Sequence, residues 1–352
     1  MRRCLELALL GAGHVAPNPL VGSVLVYTDP ATGAERIIGE GYHERYGERH
    51  AEAHCIASVK EEDRALIELS TIYVSLEPCA HYGKQPPCAD MIIEKKIPRV
   101  VAGCRDPFPQ VNGKGIEKLR AAGVEVVVGL LEKECVEINR RFFTFYTKHR
   151  PYVVLKWAQS ADGKIAGPSG GGLRGAERTL ISNEYSNRLV HKWRSEEAAI
   201  LVGTRTALLD DPALTVRLWN GPDPIRLVVD KELRLPSSLQ IFDGRVRTIV
   251  FNLIRHQEGG VIEYYQLSPD SSFIHQISVA LTQLKIQSVL VEGGARMLQA
   301  WIDEGDWDEA RVITNSELVI PGGLAAPELK DARLAGSETL LDDTVRYYRR
   351  FE

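Results

Sequence analysis

The sequence predicts an α/β protein of two units, on three observations. Strand-like runs such as "VGSVLVY" and helix-period runs such as "HAEAHCIASVK" alternate along all 352 residues. The composition, 44% hydrophobic and 26% charged, is that of a soluble globular chain with enough apolar surface for about two cores. At "KHRPYVVLKW" a helical pattern stops and a fresh strand starts after Pro151, which predicts units 1–149 and 150–352.

In the first unit Arg2–Leu10 reads as an amphipathic helix, and "VGSVLVY" and "ERIIGEGY" as a strand pair around the turn "TDPATG". "HAEAHCIASVK" has helical spacing, "STIYVSL" is a strand and "CADMIIEKK" a helix. "RVVAGC" is a strand, "IEKLRAAG" a short helix ended by Gly123, and "VEVVVG" a strand. "EKECVEINRRFFTFYTKH" reads as one long closing helix. The second unit repeats the alternation. "NEYSNRLVHKWRSEE", "SFIHQISVALTQLK" and "ARMLQAWIDEG" read as helices, and "AAILVG", "PIRLVVD", "RTIVFN", "SVLVEGG" and "EARVITN" as strands. Such an order predicts a mostly parallel sheet with a ligand crevice at the carboxyl ends of its strands.

The formal net charge of −4 argues against a nucleic-acid or anionic-membrane partner. No run reaches the roughly 18 apolar residues of a membrane span. The start "MRRCLELALLGAGH" is read as a first helix of a cytoplasmic protein, because Glu6 interrupts the apolar run and no small-residue cleavage site follows. Six cysteines are too few for a disulfide framework. Cys4, Cys55, Cys104 and Cys135 sit in apolar patterns and are expected to be reduced core residues.

Cys79 and Cys88 differ, standing in the polar, punctuated stretch "LEPCAHYGKQPPC". Upstream lies "HAE", His50 to Glu52. A histidine and a glutamate two apart at a helix start point in different directions, so both are not expected on one ion. Catalytic zinc takes three protein ligands and keeps one position open for water. His50, Cys79 and Cys88 supply that number, and Glu52 is left to move protons. The order matches the zinc nucleobase-deaminase pattern H-x-E followed by Pro-Cys and a second Cys, with the second cysteine nine residues on. Cys88 opens the next helix, where exposed N–H groups favour a thiolate. His54, four residues after His50, would make a closed structural site instead if it served as a fourth ligand.

By these motifs the chain resembles the bifunctional riboflavin-biosynthesis deaminase/reductase family. The matching stretches are "APNPLVG" at 16–22, "GEGYH" at 39–43, "HAE" at 50–52 and "LEPCAHYGKQPPC" at 76–88. The resemblance implies a cytidine-deaminase-like three-layer α/β/α domain followed by a dihydrofolate-reductase-like α/β domain. It implies a hydrolase acting through one zinc-held hydroxide per chain, which removes the 2-amino group of 2,5-diamino-6-ribosylamino-4(3H)-pyrimidinone 5′-phosphate. An NADPH-dependent oxidoreductase then turns the ribosylamino group into ribitylamino. Glu52 would be the catalytic proton carrier, and Asn18, His43, His81, Lys84 and Asp106 the deaminase substrate contacts, Lys84 facing the phosphate. Asn18 between two prolines and Asp106 before Pro107 are equally natural turn residues. The family's "DPNPQV" reads "DPFPQV" here, so Phe108 stands where an asparagine is expected near the substrate.

In the second unit "VEGGARMLQ" is a strand, a Gly-Gly turn and a helix whose free N–H groups suit a phosphate. "LVGTRTALLDDPALTVR" reads as a loop at a strand end. By the resemblance, Gln159, Thr206, Asp210 and Gly294 would hold NADPH, and Arg194, Leu214, Arg217 and Glu292 the substrate, the arginines pairing with its phosphate. Asp162 lies beside the nicotinamide region and is given no proton-transfer role. The stretch 167–182, with Leu180-Ile181-Ser182 where relatives have Trp-Ile-Ser, departs from the family and reads as a glycine-rich loop over the site.

The expected partner is a small phosphorylated pyrimidine, with no nucleic acid and no membrane, and the enzyme is expected to be a homo-oligomer. Two other readings stand beside this one. The first is another zinc nucleoside or nucleic-acid deaminase joined to an NADP-binding domain of different substrate. The second is a non-catalytic zinc-stabilised scaffold or NADP-binding sensor, which would have no use for Glu52.

Overall fold

Residues 1–82, 86–168 and 180–351 are described by the computed structural model, and they fall into two units, Met1–His149 and Arg150–Glu352. In the first, helix α1 (Arg2–Leu9) buries Cys4, Leu7 and Ala8, one stripe at helical spacing. Strands β1 (Gly22–Thr28) and β2 (Glu35–Tyr42) form the expected antiparallel hairpin. Strand β3 (Ser70–Val74) pairs antiparallel with β1, and β4 (Arg99–Ala102) and β5 (Glu125–Val128) extend the sheet in parallel. The strand order is β2-β1-β3-β4-β5.

Period-two alternation puts neighbouring strand residues on opposite faces. Leu25, Ile72 and Val100 face helices α2 (Ala51–Ala57), α3 (Cys88–Glu94) and α4 (Lys114–Ala121), through Cys55, Ile92 and Leu119. Val24 faces α1, and Cys104 and Leu76 pack on Cys135 of helix α5 (Glu132–Ile138). The result is a three-layer α/β/α unit. Gly41 lets α2 lie against β2, since a Cβ there would stand 2.3 Å from the Cys55 nitrogen and 2.6 Å from the Ala51 oxygen. That contact places His50 and Glu52.

The closing helix is a correction. It is two helices, α5 and α6 (Arg140–Lys148), parted at Asn139. The buried Asn139 side chain accepts from Leu20 N–H at 2.7 Å and donates to Leu20 O at 2.8 Å. A distant loop thereby holds this residue out of helical geometry, at φ −106° and ψ 18°.

The second unit contains β6 (Tyr152–Gln159), β7 (Lys164–Ala166), α7 (Glu184–Glu196), β8 (Ala199–Gly203), α8 (Thr204–Asp210), β9 (Ile225–Val229), β10 (Thr248–Asn252) and β11 (Ile262–Gln266). There follow α9 (Phe273–Gln283), β12 (Ser288–Val291), α10 (Ala295–Glu304), β13 (Glu309–Asn315), β14 (Leu324–Ala325), β15 (Ala332–Leu340) and β16 (Asp343–Arg350). The main sheet runs β11-β10-β9-β8-β12-β6-β13-β16-β15 and is parallel from β11 to β13. Its central strands are buried on both faces, which is why "SVLV" and "AILV" read as continuous apolar runs. Asn183 caps α7 by accepting from Tyr185 and Ser186 N–H.

Two further differences from expectation appear here. The stretch after β8 is the helix α8, not a plain loop. The sheet also ends in an antiparallel hairpin, β15–β16, whose outer strand is largely exposed and carries no apolar alternation to announce it.

Candidate active sites

His50 occupies the N-cap position of α2 with an extended backbone, Cys79 follows β3, and Cys88 is the first residue of α3. His50 Nδ1 lies 3.5 Å from Cys79 Sγ and 3.4 Å from Cys88 Sγ, and the three donor atoms are all within 4.8 Å of one another. A tetrahedral zinc with bonds of about 2.3 Å to sulfur and about 2.0 Å to nitrogen holds N and S about 3.5 Å apart. Both nitrogen–sulfur separations therefore match a tetrahedral zinc. Cys88 N–H donates to Cys79 Sγ at 3.3 Å. Hydrogen bonding with Cys88 and His50 brings the Cys79 thiol down to about 4, so one member of the pair is readily a thiolate.

Glu52 is buried beside these donors. Burial, reinforced by the negative charge of Cys79, pushes its carboxyl up to about 7. His54 directs Nδ1 toward Glu44, 3.7 Å away. Among the described residues it does not join the donor group, which leaves three protein ligands rather than a closed set of four.

A cavity of about 330 Å³ opens over the centre, lined by Asn18, His43, Glu52, His81, Asp106 and Phe108 among others. Asn18 and His43 meet each other, Nδ2 to Nε2, at 3.0 Å, and His43 Nδ1 lies 3.0 Å from Arg49 O. Both His43 nitrogens are thus engaged by protein. Asp106 accepts from Phe108 N–H at 2.8 Å, the turn-forming role open to it, while also lining the cavity. Burial raises its carboxyl to about 7. Phe108 packs edge-on against His81 and Tyr146, extending an aromatic wall through Phe142. His81 Nδ1 is buried with no partner among the described residues. Lys84 lies outside the described residues, as do 169–179 of the glycine-rich stretch.

Glu77 was missed by the sequence reasoning. Its buried carboxylate accepts N–H groups from Asp106, Gly113, Gly115 and Ile116 at 3.0–3.2 Å. It ties the loop bearing Asp106 and the start of α4 to the segment carrying Cys79. A carboxylate next to the Pro-Cys ligand was a visible signal, but its partners lie some 30 to 40 residues away and show in no pattern.

In the second unit the expected cofactor residues gather at the carboxyl ends of adjacent strands. Gln159 ends β6, Glu292–Gly294 follow β12, and α8 with Thr206 and Asp210 follows β8. A Cβ on Gly293 would stand 2.7 Å from Val202 Cα, and Gly294 has φ +60° and lies against Thr206 Oγ1. Helix α10 then begins with no side-chain cap. First-turn N–H groups without a side-chain cap, behind a turn that admits no side chain, suit an anionic cofactor group such as the phosphates of NADPH. Gln159 Oε1 accepts from Trp157 Nε1 at 2.8 Å. Asp162 accepts from Ser160 Oγ and Ile320 N–H, closing a turn.

Of the expected substrate residues, Arg194 and Glu292 form a charged cluster with Lys156. Arg194 holds Glu292 through two bonds of 2.8 Å, and Lys156 Nζ lies 4.0 Å from the same carboxylate. Burial alone would raise the Glu292 carboxyl, but Arg194 and then Lys156 outweigh it and bring it to about 2. Arg217 is exposed, and its backbone N–H donates to His191 Nδ1 at 3.0 Å. Leu214, at φ +54°, turns its side chain into the core with Ile200 and Val202, so what it offers a ligand is main chain. His191 and Lys156 were also missed. His191 stands one turn before Arg194, a spacing that puts both on one face of the expected helix.

Fold and sites together define a class, a zinc-dependent deaminase joined in one chain to a dihydrofolate-reductase-like, NADPH-dependent reductase. Residues 1–104 match the cytidine and deoxycytidylate deaminase zinc-binding region, and residues 151–343 the RibD C-terminal domain. Riboflavin biosynthesis protein RibD of Aquifex aeolicus is 36% identical, covering 100% of this chain and 98% of its own. That of Escherichia coli is 39% identical over 91% and 87%. The crystal structure of a diaminohydroxyphosphoribosylaminopyrimidine deaminase/5-amino-6-(5-phosphoribosylamino)uracil reductase from Thermotoga maritima superposes with a TM-score of 0.86, at 35% identity, covering 100% of this chain and 97% of that one. The chain belongs to the RibD family, the bifunctional deaminase/reductases of riboflavin biosynthesis.

Proposed function

We propose that residues 1–149 deaminate 2,5-diamino-6-ribosylamino-4(3H)-pyrimidinone 5′-phosphate and that residues 150–352 reduce the resulting ribosylamino compound. The observation that carries the first half is the spacing of His50, Cys79 and Cys88 beside a buried Glu52. Bound there, zinc supplies a Lewis acid that makes water nucleophilic near neutral pH. Glu52 takes the proton from the attacking water and returns it to the ring nitrogen and the departing amine, so water enters and ammonia leaves. His43 orients the Asn18 amide, Asp106 and His81 face the ring, and Lys84 meets the phosphate. Phe108 replaces a polar contact by an aromatic edge.

In the second half, the bound NADPH supplies the hydride. The Gly293–Gly294 turn and α10 receive its phosphates, with Thr206, Asp210 and Gln159 alongside. Arg217 holds the substrate phosphate, while Arg194 and Glu292, locked together, border it with the Leu214 main chain. The enzyme is read as a cytoplasmic homo-oligomer with a small-molecule substrate and no nucleic-acid or membrane partner. The net charge of −4 supports the absence of a nucleic-acid partner, and six cysteines with no disulfide support a reducing compartment. No helix among the described residues is long and apolar enough to cross a membrane.

The test is to supply the diaminopyrimidinone ribosyl phosphate and follow ammonia and NADPH absorbance. Ammonia is expected without NADPH, and NADPH consumption only after it. Glu52→Gln is expected to keep zinc and lose about 10²–10⁴ in deamination rate; normal deamination by this variant would remove Glu52 from the mechanism.

A further inference from the structure

The structure assigns His191 as a positioning residue of the reductase, which sets the phosphate-binding Arg217 by hydrogen-bonding its backbone; the inference rests on the reading of Arg217 given above. His191 lies on α7 and is almost fully buried, and its Nδ1 accepts the Arg217 N–H at 3.0 Å. An acceptor at Nδ1 requires the neutral ring with its proton on Nε2. Arg194, one turn further along the same helix, donates Nη1 to Thr215 O at 3.3 Å while both its other arms hold Glu292. The short stretch Thr215–Arg217 is therefore pinned to α7 at two main-chain points, one by each residue.

The Arg217 side chain itself is held only lightly, through Nη1 to Thr215 Oγ1 at 3.1 Å. Its guanidinium is exposed, so its position is set by its backbone more than by packing. Fixing the peptide of Arg217 fixes the origin of a long, entropically costly side chain before the phosphate arrives. His191 is suited to this because it is a pure acceptor at the contact. A lysine or arginine there would present a second donor to the Arg217 N–H, and would add charge beside Lys156 and Arg194, which already share the one Glu292 carboxylate.

The experiment separates His191 Nδ1 from the rest of the ring. Asparagine places an oxygen acceptor near the Nδ1 position, whereas glutamine places its polar group near Nε2. With 5-amino-6-(5-phosphoribosylamino)uracil and NADPH, His191→Ala and His191→Gln are expected to raise the KM for the pyrimidine roughly tenfold, the size one lost hydrogen bond supports. The kcat and the KM for NADPH are expected to change little. His191→Asn restores the low KM. Arg217→Ala raises KM by more, and His191→Ala in that background adds nothing further, because the histidine acts through the arginine.

Parental kcat and KM for NADPH check that the second unit of each variant is intact. If Arg217→Ala leaves KM unchanged, the phosphate reading fails and the positioning role falls with it. If Arg217→Ala raises KM while His191→Ala and His191→Gln do not, the positioning role alone is overturned. Equal defects in His191→Asn and His191→Ala, or multiplicative effects in the double variant, overturn it as well.

Discussion

Asn18 Nδ2 and His43 Nε2 are hydrogen-bonded to each other at 3.0 Å inside the deaminase cavity. The other ring nitrogen of His43 faces the carbonyl of Arg49, which can only accept, so Nδ1 carries the proton and Nε2 receives the Asn18 amide. Burial lowers the His43 pKa and keeps the ring neutral, preserving that direction. The pair is a built relay from the backbone at Arg49 to the amide at the cavity wall.

His43→Ala is accordingly expected to lower deaminase kcat/KM about tenfold by releasing Asn18. Asn18→Ala should do at least as much, and the double variant should match Asn18→Ala. Steady-state ammonia assays measure all three. Multiplying effects would show that His43 meets the substrate independently of Asn18.

Glu77→Gln replaces one acceptor oxygen by an NH₂ facing two backbone donors, and leaves those donors unsatisfied. A loss of about 3 kcal/mol in the stability of the first unit follows, together with a fall in zinc content, because Cys79 lies two residues on. Thermal melting and metal analysis read the two effects. A variant that melts like the parent with full zinc would show that the two lost N–H bonds are dispensable.

Gly293→Ala is expected to raise the KM for NADPH and leave deamination unchanged. The added methyl would stand 2.7 Å from the Val202 backbone and force the turn ahead of α10 to shift. Separate assays of ammonia release and NADPH oxidation decide it, and unaltered NADPH binding would move the cofactor away from this turn.

Glu292 sets an acid limit on the second unit. Its folded pKa, about 2, lies below the ordinary carboxylate value near 4.5, so the unfolded chain takes up the proton first. The stabilisation is present above about pH 4.5 and is lost as the pH falls toward 2, on the order of 3 kcal/mol in all. Glu292→Gln, which leaves Arg194 buried without its partner, is expected to be less stable by a similar amount at pH 7. The gap should close as acid is added. Denaturant midpoints from pH 7 to pH 3 test this, and a gap that stays constant would mean that Glu292 is not the titrating group.

The metal centre was legible in the sequence because its ligands lie in short motifs at element ends. "HAE" opens a helix, "PC" follows a strand, and the second cysteine opens the next helix, so local geometry alone aims them inward. The strand runs of both sheets were legible for a similar reason, since burial on one face or two writes itself as alternation or as a continuous apolar run. The break at Asn139 was not, because it is imposed by Leu20, 119 residues away. The β15–β16 hairpin was hidden because main-chain pairing at a sheet edge places few demands on side chains.

By itself, then, the sequence determined the two α/β units, the three zinc donors, the buried glutamate beside them and the glycine turn before α10, all of them set by neighbours close in the chain. Tertiary structure alone decided which polar residues face a ligand and which face each other. It turned His43 toward Asn18, Arg194 toward Glu292 and His191 toward the Arg217 backbone. Buried polar groups must find partners, and those partners come from whichever strands and loops the fold brings alongside, at separations no local pattern records.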